Sequence, residues 1–247
     1  MNTKKKVAKE TISFIILAFL VLIFRSVFFE PFQIPSGSMI PTLMIGDFIL
    51  VNKFAYGVRA PFTDWSKIPF TDSYIDQVFL TDQKDPERGD VIVFKYPKDT
   101  TINYIKRVVG LPGDKVQLVD EVVYINGKPI ETKEISGKEY MSDMDDKYAE
   151  NSLKFFLAKT GKHEHVIQLD QNPPYVAKIN FEERVVPPGH FFCMGDNRDH
   201  SSDSREWGFV PKANIKGKAI FVWFSMILPW SDYPFKIRPW RIGTLIK

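Results

Sequence analysis

The sequence contains only one cysteine and four histidines in 247 residues. A lone cysteine, Cys193, excludes an intrachain disulfide and any zinc cluster built from several thiolates. The stretch His163-Glu164-His165 is the one candidate for part of a metal site, but nothing else stands at ligand spacing, so we predict no metal and no cofactor. The net charge is only +3, and the basic residues are spread along the chain, which excludes the basic stripe of a nucleic-acid-binding protein.

The longest apolar run lies near the N-terminus. After the basic residues of positions 1–10, residues 12–29 are mostly apolar, with Arg25 as the charged interruption. This length approaches the ~20 residues of a transmembrane helix, and Arg25 is close enough to one end to reach the membrane surface. A cleaved signal peptide also has a basic start and an apolar core, but bulky residues stand where small ones would mark cleavage. We therefore predict a retained anchor at residues 11–29 and a cytoplasmic tail at residues 1–10.

A segment with two serines and two prolines follows the apolar run. Pro35 and Pro41 each fix φ and favour extended geometry in the preceding residue, which predicts a segment without helix between them. Gly37 separates Ser36 from Ser38 and lets the backbone approach a ligand closely. Taken alone, the segment fits a polar juxtamembrane linker as well as it fits a reactive serine held just outside a bilayer.

Downstream, short apolar runs bounded by turn residues predict β-strands. The strand predicted at residues 101–109 places Lys106 on one face and Arg107 on the other. The residues that share the lysine face are Ile102, Tyr104 and Val108. Apolar surroundings lower the pKa of a lysine, and only a neutral lysine can act as a general base. The alternative is an edge-strand lysine that extends into water.

Three later segments differ in character. Residues 131–180 are poorer in apolar residues and predict a less regular insertion.

Residues 195–205 combine both charge signs with almost no apolar side chain, which indicates a hydrogen-bonded loop packed on a site. A solvated turn or a calcium-binding loop is the alternative, although the bidentate glutamate of an EF-hand is missing. Residues 219–230 are too few to span a membrane and predict a final strand, which either ends in an aromatic patch at the membrane interface or is a core strand with a surface tail.

Four segments resemble, in order and at similar spacing, the conserved boxes of the bacterial type I signal (leader) peptidases. They are SGSMIPTL at 36–43, RGDVIVF at 88–94, YIKRVVGLPGD at 104–114 and GDNRDHSSDSR at 195–205. The resemblance implies a mostly β fold, with a single N-terminal transmembrane helix followed by an all-β catalytic domain. That domain would comprise residues 30–130 and 181–247, with the less regular region 131–180 inserted. The inserted residues match nothing in the family that we can place, and one anchor is present where some members have two.

The resemblance also implies an activity. It is that of a serine endopeptidase which removes N-terminal signal peptides through an acyl-enzyme, cutting after small residues at Ala-x-Ala-like sites. Ser38 would be the nucleophile and Lys106 the general base, with the Ser36 hydroxyl and the Ser38 backbone N–H forming an oxyanion hole. The supporting residues would be Ser201, which orients the lysine amine, and Gly195, Asp203 and Arg205, which shape the loop. The substrate cleft would be lined by Phe32, Ile34, Met39, Leu43, Val93, Tyr104 and Ile105.

The implied partners are preproteins with signal peptides and the lipid bilayer, without nucleic acid, and the chain is expected to be a monomer. The implied location is the bacterial inner (cytoplasmic) membrane, crossed once, with the N-terminus in the cytoplasm and the catalytic domain on the periplasmic, extracytoplasmic side. Two other hypotheses stay open. One is a membrane-anchored binding or scaffold protein that has the fold without the activity. The other is a Ser-His hydrolase using His190 or His200, although no Gly-x-Ser-x-Gly motif surrounds Ser38.

Overall fold

The computed structural model describes residues 2–61, 63, 78–144, 153–171, 180–228, 231 and 233–247, and for residues 2–5 it describes the backbone alone. The insertion predicted at 131–180 is thus described in part, and the end of the last apolar run, at Pro229 and Trp230, lies outside the described residues. What is described is mostly β-structure preceded by one long N-terminal helix, which confirms the predicted fold class.

Helix α1 comprises Asn2–Val27. Its segment Lys6–Val27 has a mean hydropathy of 2.3 and is long and apolar enough to cross a membrane. The apolar side chains are not covered by protein, since Phe14, Leu17 and Leu20 are 72%, 60% and 56% exposed. A helix that is apolar on every face requires an apolar environment, and a bilayer supplies one.

The described residues contain fifteen strands and two further short helices. The strands are β1 (Phe29–Gln33), β2 (Asp47–Asn52), β3 (Val91–Tyr96), β4 (Asp99–Gly110), β5 (Lys115–Val119), β6 (Val122–Ile125), β7 (Lys128–Pro129), β8 (Thr132–Ile135), β9 (Leu153–Thr160), β10 (His163–Asp170), β11 (Phe181–Val185), β12 (His190–Met194), β13 (Val210–Pro211), β14 (Ile215–Ile227) and β15 (Lys236–Ile237). The short helices are α2 (Lys138–Met141) and α3 (Ser204–Trp207), and 3₁₀ turns occur at Gly37–Met39, Phe54–Tyr56, Lys212–Asn214 and Pro239–Arg241.

The largest sheet has the strand order β1-β2-β14-β3-β4-β12-β13, with β15 paired to β14. Strand β14 holds most of the last apolar run and lies between β2 and β3, with Ala219 and Val222 fully buried, so the run is a core strand. Exposed aromatic side chains, which the other alternative expects, are present as well, since Trp223, Phe235 and Trp240 are 43%, 56% and 64% exposed. Contact of these side chains with lipid stays a prediction.

The segment with Ser38 packs against one face of this sheet. Met39 and Leu43 are fully buried and join Ile49, Val91 and Val222 in a single apolar cluster. Strand β4 lies in the same sheet, where Lys106 pairs across from Ile92 of β3. One core therefore fixes both the segment that carries the serine and the strand that carries the lysine.

The inserted region is more regular than the sequence predicts, and the description of it as less regular is corrected for its described strands. Strands β8, β9 and β10 form a three-stranded antiparallel sheet, in which β9 and β10 are paired along their whole length. Charged residues occupy the exposed face of these strands, as at Lys154 beside the buried Phe155, which lowers the apolar content without breaking the strand alternation.

Strand β10 contacts the loop of residues 195–205 directly. The Gln168 N–H donates to the Asp196 carbonyl and the Arg198 N–H donates to the Gln168 carbonyl, both at 2.9 Å. The insertion is thus hydrogen-bonded to the loop that carries most of the predicted supporting residues. A separate four-stranded sheet has the order β11-β5-β6-β7.

Candidate active site

Ser38 lies in the middle of a 3₁₀ turn, Gly37–Met39, and is buried. The prediction that the two prolines exclude helix between them is therefore wrong for these three residues. Pro41 restricts only the residue before it, Ile40, which has extended geometry with ψ 137°, and Ser36 is extended as well. The residues between them are free to close one turn, which the Ile40 N–H completes by donating to the Gly37 carbonyl at 3.1 Å.

Asn197 holds this turn from outside, and sequence reasoning gave it no role. Its side-chain Nδ2 donates to the Gly37 carbonyl at 3.0 Å, and its backbone N–H donates to the Ser38 carbonyl at 3.2 Å. Asn197 is fully buried, and Gln168 of β10 donates to its Oδ1 at 3.4 Å. The only sequence signal was its place in a polar loop directly after an apolar strand.

Replacing Asn197 by alanine should lower kcat for peptide-bond cleavage by about 10- to 100-fold with little change in KM, because a misaligned nucleophile reduces the rate of reaction more than the binding of substrate. Asn214→Ala is a matched control, since the Asn214 side chain donates to the Lys95 carbonyl at the same distance of 3.0 Å but lies elsewhere. Both variants should lose about 1 kcal/mol of stability. Equal kcat values for the two variants would contradict the positioning role.

Lys106 reaches the serine from β4. Its Nζ donates to Ser38 Oγ at 2.7 Å and to the Ile105 carbonyl at 2.9 Å, and it lies 5.4 Å from the centre of the Tyr104 ring. The side chain is only 3% exposed, so the alternative of an edge-strand lysine in water is excluded. Of its predicted neighbours, Ile102 is 46% exposed and lies in the outer half of β4, where residues 99–103 are all exposed, so it contributes nothing to the burial.

Burial lowers the pKa of Lys106 to about 8, and the carboxylates of Asp203 and Asp196 limit the decrease. A buried ammonium loses hydration that nearby charges restore only in part. The amine is therefore neutral in about a tenth of the molecules at pH 7, far more than for a lysine of ordinary pKa, and in most of them above pH 8. In that state the Ser38 hydroxyl can donate to the nitrogen across the same 2.7 Å.

Arg107 points to the other face of β4, as predicted, but that face is also buried. Its Nε and Nη2 donate to the two carboxylate oxygens of Asp196 at 2.8 and 2.7 Å, and Arg107 is fully buried. Thr42 donates to the same carboxylate at 2.5 Å. Although burial opposes ionisation, Arg107 holds the pKa of Asp196 down at about 2. The ion pair joins the lysine strand, the loop and the segment after Ser38, and sequence reasoning missed it.

The loop of residues 195–205 is organised around Asp203. This carboxylate accepts from the Gly195 N–H at 3.0 Å and from Arg205 Nε and Nη2, each at 2.8 Å. It also caps α3, and the nearby Ser201 side chain contributes to lowering its pKa. Burial alone would raise its pKa, but Arg205 reverses the direction and the pKa is lowered. Asp203 and Arg205 thus fix the backbone of this loop, and their support of catalysis stays a prediction.

Gly195 is required by a close approach. A Cβ at this position would lie 2.4 Å from the Ser38 carbonyl oxygen and 2.2 Å from Ser201 Oγ, both too close for any real side chain. The loop backbone therefore packs against the serine turn on one side and against Ser201 on the other. Ser201 is fully buried next to it.

Ser36 and the predicted cleft residues differ in their exposure to solvent. Ser36 is exposed and its side chain makes no capping bond to the turn. The predicted residues Ile34, Met39, Leu43 and Val93 belong to the apolar cluster beneath the turn, with Phe32 and Ile105 packed against it. Tyr104 lies apart from them, stacked on Tyr96 at 4.4 Å between ring centres. The fully buried members shape the floor of this region and offer little surface to a ligand.

The four histidines, on which a Ser-His mechanism or a metal site would depend, contact groups other than Ser38 in the structure. His200 Nε2 lies 2.8 Å from Asp170 Oδ2, and His190 Nδ1 lies 2.9 Å from the Pro188 carbonyl. His163 and His165 face different carboxylates, those of Asp90 and Asp196, each at 3.7 Å.

Glu87, Asp90 and His163 have ligand atoms within 4.8 Å of one another. Lysines already compensate this charge, with Lys218 Nζ 2.5 Å from Asp90 and Lys162 in contact with Glu87.

A serine hydroxyl hydrogen-bonded to a buried amine of lowered pKa is the arrangement of a serine hydrolase. The family model described as signal peptidase, peptidase S26, matches residues 7–224. A signal peptidase I of Pseudomonas aeruginosa is 43% identical over 94% of this chain and 77% of its own length. One of Pseudomonas fluorescens is 45% identical over 86% of this chain and 71% of its own length. A solved signal peptidase I from Enterococcus faecalis is 28% identical over 55% of this chain and 97% of its own, with a TM-score of 0.31.

The chain is therefore a serine endopeptidase. It belongs to the signal peptidase, peptidase S26, family, which confirms the resemblance seen in the sequence. Helix α1, most of which lies within the matched region, fits the membrane anchor of such an enzyme.

Proposed function

We propose that the chain removes N-terminal signal peptides from exported preproteins by acyl-enzyme catalysis, with Ser38 as nucleophile and Lys106 as general base. The observation that carries this proposal is the 2.7 Å contact between Ser38 Oγ and a lysine amine that is 3% exposed. The family membership supports the class of substrate, and the geometry supports the choice of the two residues.

In the proposed mechanism the neutral amine of Lys106 takes the hydroxyl proton while Ser38 Oγ attacks the scissile carbonyl. The carbonyl oxygen becomes an oxyanion, which the Ser38 N–H and the exposed Ser36 hydroxyl stabilise. As the C–N bond breaks, the Lys106 ammonium returns the proton to the leaving amine and the mature chain departs. Lys106 then activates a water that hydrolyses the serine ester and releases the signal peptide.

Ser201 has a positioning role in this proposal. It lies in the loop that Asp203 and Arg205 hold in shape, and it interacts with the Asp203 carboxylate, whose charge also raises the pKa of Lys106. Rigid support of this kind keeps a base aligned with its nucleophile throughout the reaction.

Substrate selection is assigned to the region around Ile34, Met39 and Leu43. These side chains lie at or below 2% exposure, which supports a role as the closed floor of a cleft that accepts small residues. The segment up to Ile34 can add to the substrate backbone as a strand, so that pocket size decides which side chains fit. We infer that cleavage follows small residues, at Ala-x-Ala-like sites.

A preprotein with alanine at P1, the residue before the cleaved bond, should be cut at least 100-fold faster than the same preprotein with phenylalanine there, because a closed pocket excludes a bulky side chain. The measurement is kcat/KM for the two substrates with purified full-length chain in detergent. Equal rates would contradict the proposed pocket while leaving the catalytic pair untouched.

The membrane arrangement is part of the same proposal. We assign residues 11–29 to a retained anchor, residues 1–10 to the cytoplasm, and 30–130 with 181–247 to a monomeric catalytic domain outside the bacterial inner membrane. Helix α1 ends at Val27 and β1 begins at Phe29, so the anchor leads directly into the main sheet. Basic residues before the helix favour a cytoplasmic N-terminus. An anchor next to Ser38 raises the effective concentration of membrane-held substrate.

A further inference from the structure

A small cavity lies where the hairpin β5–β6, the sheet β8–β10 and the loop of residues 195–205 meet. Its volume is about 190 Å³, and its walls include the apolar side chains of Val123, Ile130, Phe156 and Ile167. A cavity of roughly 150 Å³ with such walls is large enough to admit benzene. The space therefore suits a ligand with a small apolar body, and none of these wall residues belongs to the catalytic machinery.

Arg198 also lines this cavity and is only 4% exposed. The Arg198 backbone forms hydrogen bonds with Gln168 of β10 and with the Arg205 side chain. The Arg198 guanidinium makes no hydrogen bond or ion pair with any residue that the structure describes, and its Nε is wholly buried without a partner. A buried charge without a partner is energetically unfavourable, and a planar guanidinium is matched best by a carboxylate. Burial and the charge of Arg205 lower the pKa of Arg198 to about 10, so nearby carboxylates compensate it only in part.

The lining also includes two acidic residues, Asp120 and Glu121. Both have left-handed backbone geometry, with φ of 46° and 66°, which is unfavourable for residues other than glycine and fixes their place in the turn between β5 and β6. Burial and the charge of Asp199 raise the pKa of Glu121, while Lys154 opposes the increase. This acidic turn disfavours a ligand that is purely anionic and favours one that also carries a cation.

We propose that this cavity binds a free apolar α-amino acid of leucine size. Its carboxylate pairs with the Arg198 guanidinium, its ammonium group pairs with the Asp120-Glu121 turn, and its side chain packs against the apolar walls. The proposal does not depend on the catalytic roles of Ser38 and Lys106. Arg198 directly follows Asn197, so the ligand lies one residue from the side chain that holds the serine turn.

Isothermal titration calorimetry on the full-length chain in detergent tests this proposal with three molecules of one shape. They are L-leucine, isoamylamine, which lacks the carboxylate, and 4-methylpentanoate, which lacks the ammonium group. Leucine should bind saturably, isoamylamine should not, and 4-methylpentanoate should bind at least about tenfold more weakly, because one charged contact is lost. Absence of saturable leucine binding, or equal affinity for leucine and either analogue, would overturn the proposal.

Two variants test the location. Arg198→Met removes the guanidinium and Ile130→Trp fills the cavity from its wall, and each should abolish leucine binding. Arg184→Met is the matched control, since Arg184 is an exposed arginine that lies over the Phe181 ring, and it should bind as the parent chain does. Unchanged binding in Ile130→Trp would show that the cavity is not the site. If Arg198→Met does not fold, Ile130→Trp and the comparison of the three molecules still show whether leucine binds in this cavity.

Discussion

Replacing Ser38 by alanine should reduce cleavage of a preprotein on the order of 10⁶-fold, as expected when the nucleophile of a serine peptidase is removed. The protein should still fold, because the turn around Ser38 is held by backbone contacts from Asn197 and by the buried Met39 rather than by the hydroxyl. The measurement is the single-turnover rate of cleavage of a preprotein, with circular dichroism as the check on folding.

Ser142→Ala is the control for this experiment, since Ser142 is exposed and its hydroxyl bonds the Glu139 carbonyl far along the chain from the turn. It should cleave at the parental rate. The two hypotheses of an enzyme and of an inactive scaffold separate here. If the Ser38→Ala protein supports export as well as the parent does, the chain acts as a scaffold and the proposed function is wrong.

Replacing Lys106 by methionine should lower the rate of cleavage by at least about 10²- to 10⁴-fold, because the general base is lost. The same change should make the protein more stable at pH 7. Burial lowers the pKa of Lys106 from 10.5 to about 8. At pH 7 the amine therefore carries a proton in both the folded and the unfolded chain, and the folded chain holds a poorly solvated charge. Methionine removes this charge, which should raise the free energy of unfolding at pH 7 by on the order of 3 kcal/mol.

The pH dependence of stability gives the sign of this effect. Between pH 8 and pH 10.5 the unfolded chain keeps the Lys106 proton that the folded chain has released. The unfolded state then binds more protons, so the free energy of unfolding of the parent chain rises with pH across this window. The Lys106→Met variant should lack that rise. Urea unfolding of both proteins at pH 7 and pH 10 measures the difference.

Two controls accompany the lysine variant. Lys53 is a second buried lysine, 2% exposed, with its Nζ 3.3 Å from a Glu30 carboxylate oxygen. Lys53→Met should lose stability, because it removes one partner of an ion pair that is largely buried, and should keep its activity. His200→Ala should also keep most of its activity. If His200→Ala abolishes cleavage and Lys106→Met does not, a Ser-His mechanism replaces the proposed one.

Hydrophobic runs and two-residue alternation in the sequence predicted those features of the structure that depend on neighbouring residues. The apolar run gave α1, and the two-residue alternation around Lys106 placed it on a buried face of β4. The contact between Ser38 and Lys106 joins residues 68 positions apart, and it was expected only because the family resemblance supplied it. Hydrophobic periodicity carries no information on which distant strand brings a lysine to a given serine.

The misses have physical causes as well. The pair of Arg107 and Asp196 spans 89 positions, and nothing in either local sequence identifies the other as its partner. Proline rules describe single residues and did not exclude the short turn at Gly37–Met39. The sheet β8–β10 was missed because its exposed faces are charged, which lowers the apolar content on which the prediction depended. Ile102 was misplaced because alternation gives the face of a residue and not how far the covered part of the strand extends.

The dependence of kcat/KM on pH, measured with a preprotein substrate from pH 6 to pH 11, tests whether a buried neutral lysine activates Ser38. This quantity reports the ionisation of the free enzyme, and the base must be neutral to act. We expect kcat/KM to rise with an apparent pKa of about 8, the value to which burial lowers the pKa of Lys106, and to stay level above it. A rate that keeps rising past pH 10, as for a lysine in open water, would contradict the central claim that a buried neutral lysine activates Ser38.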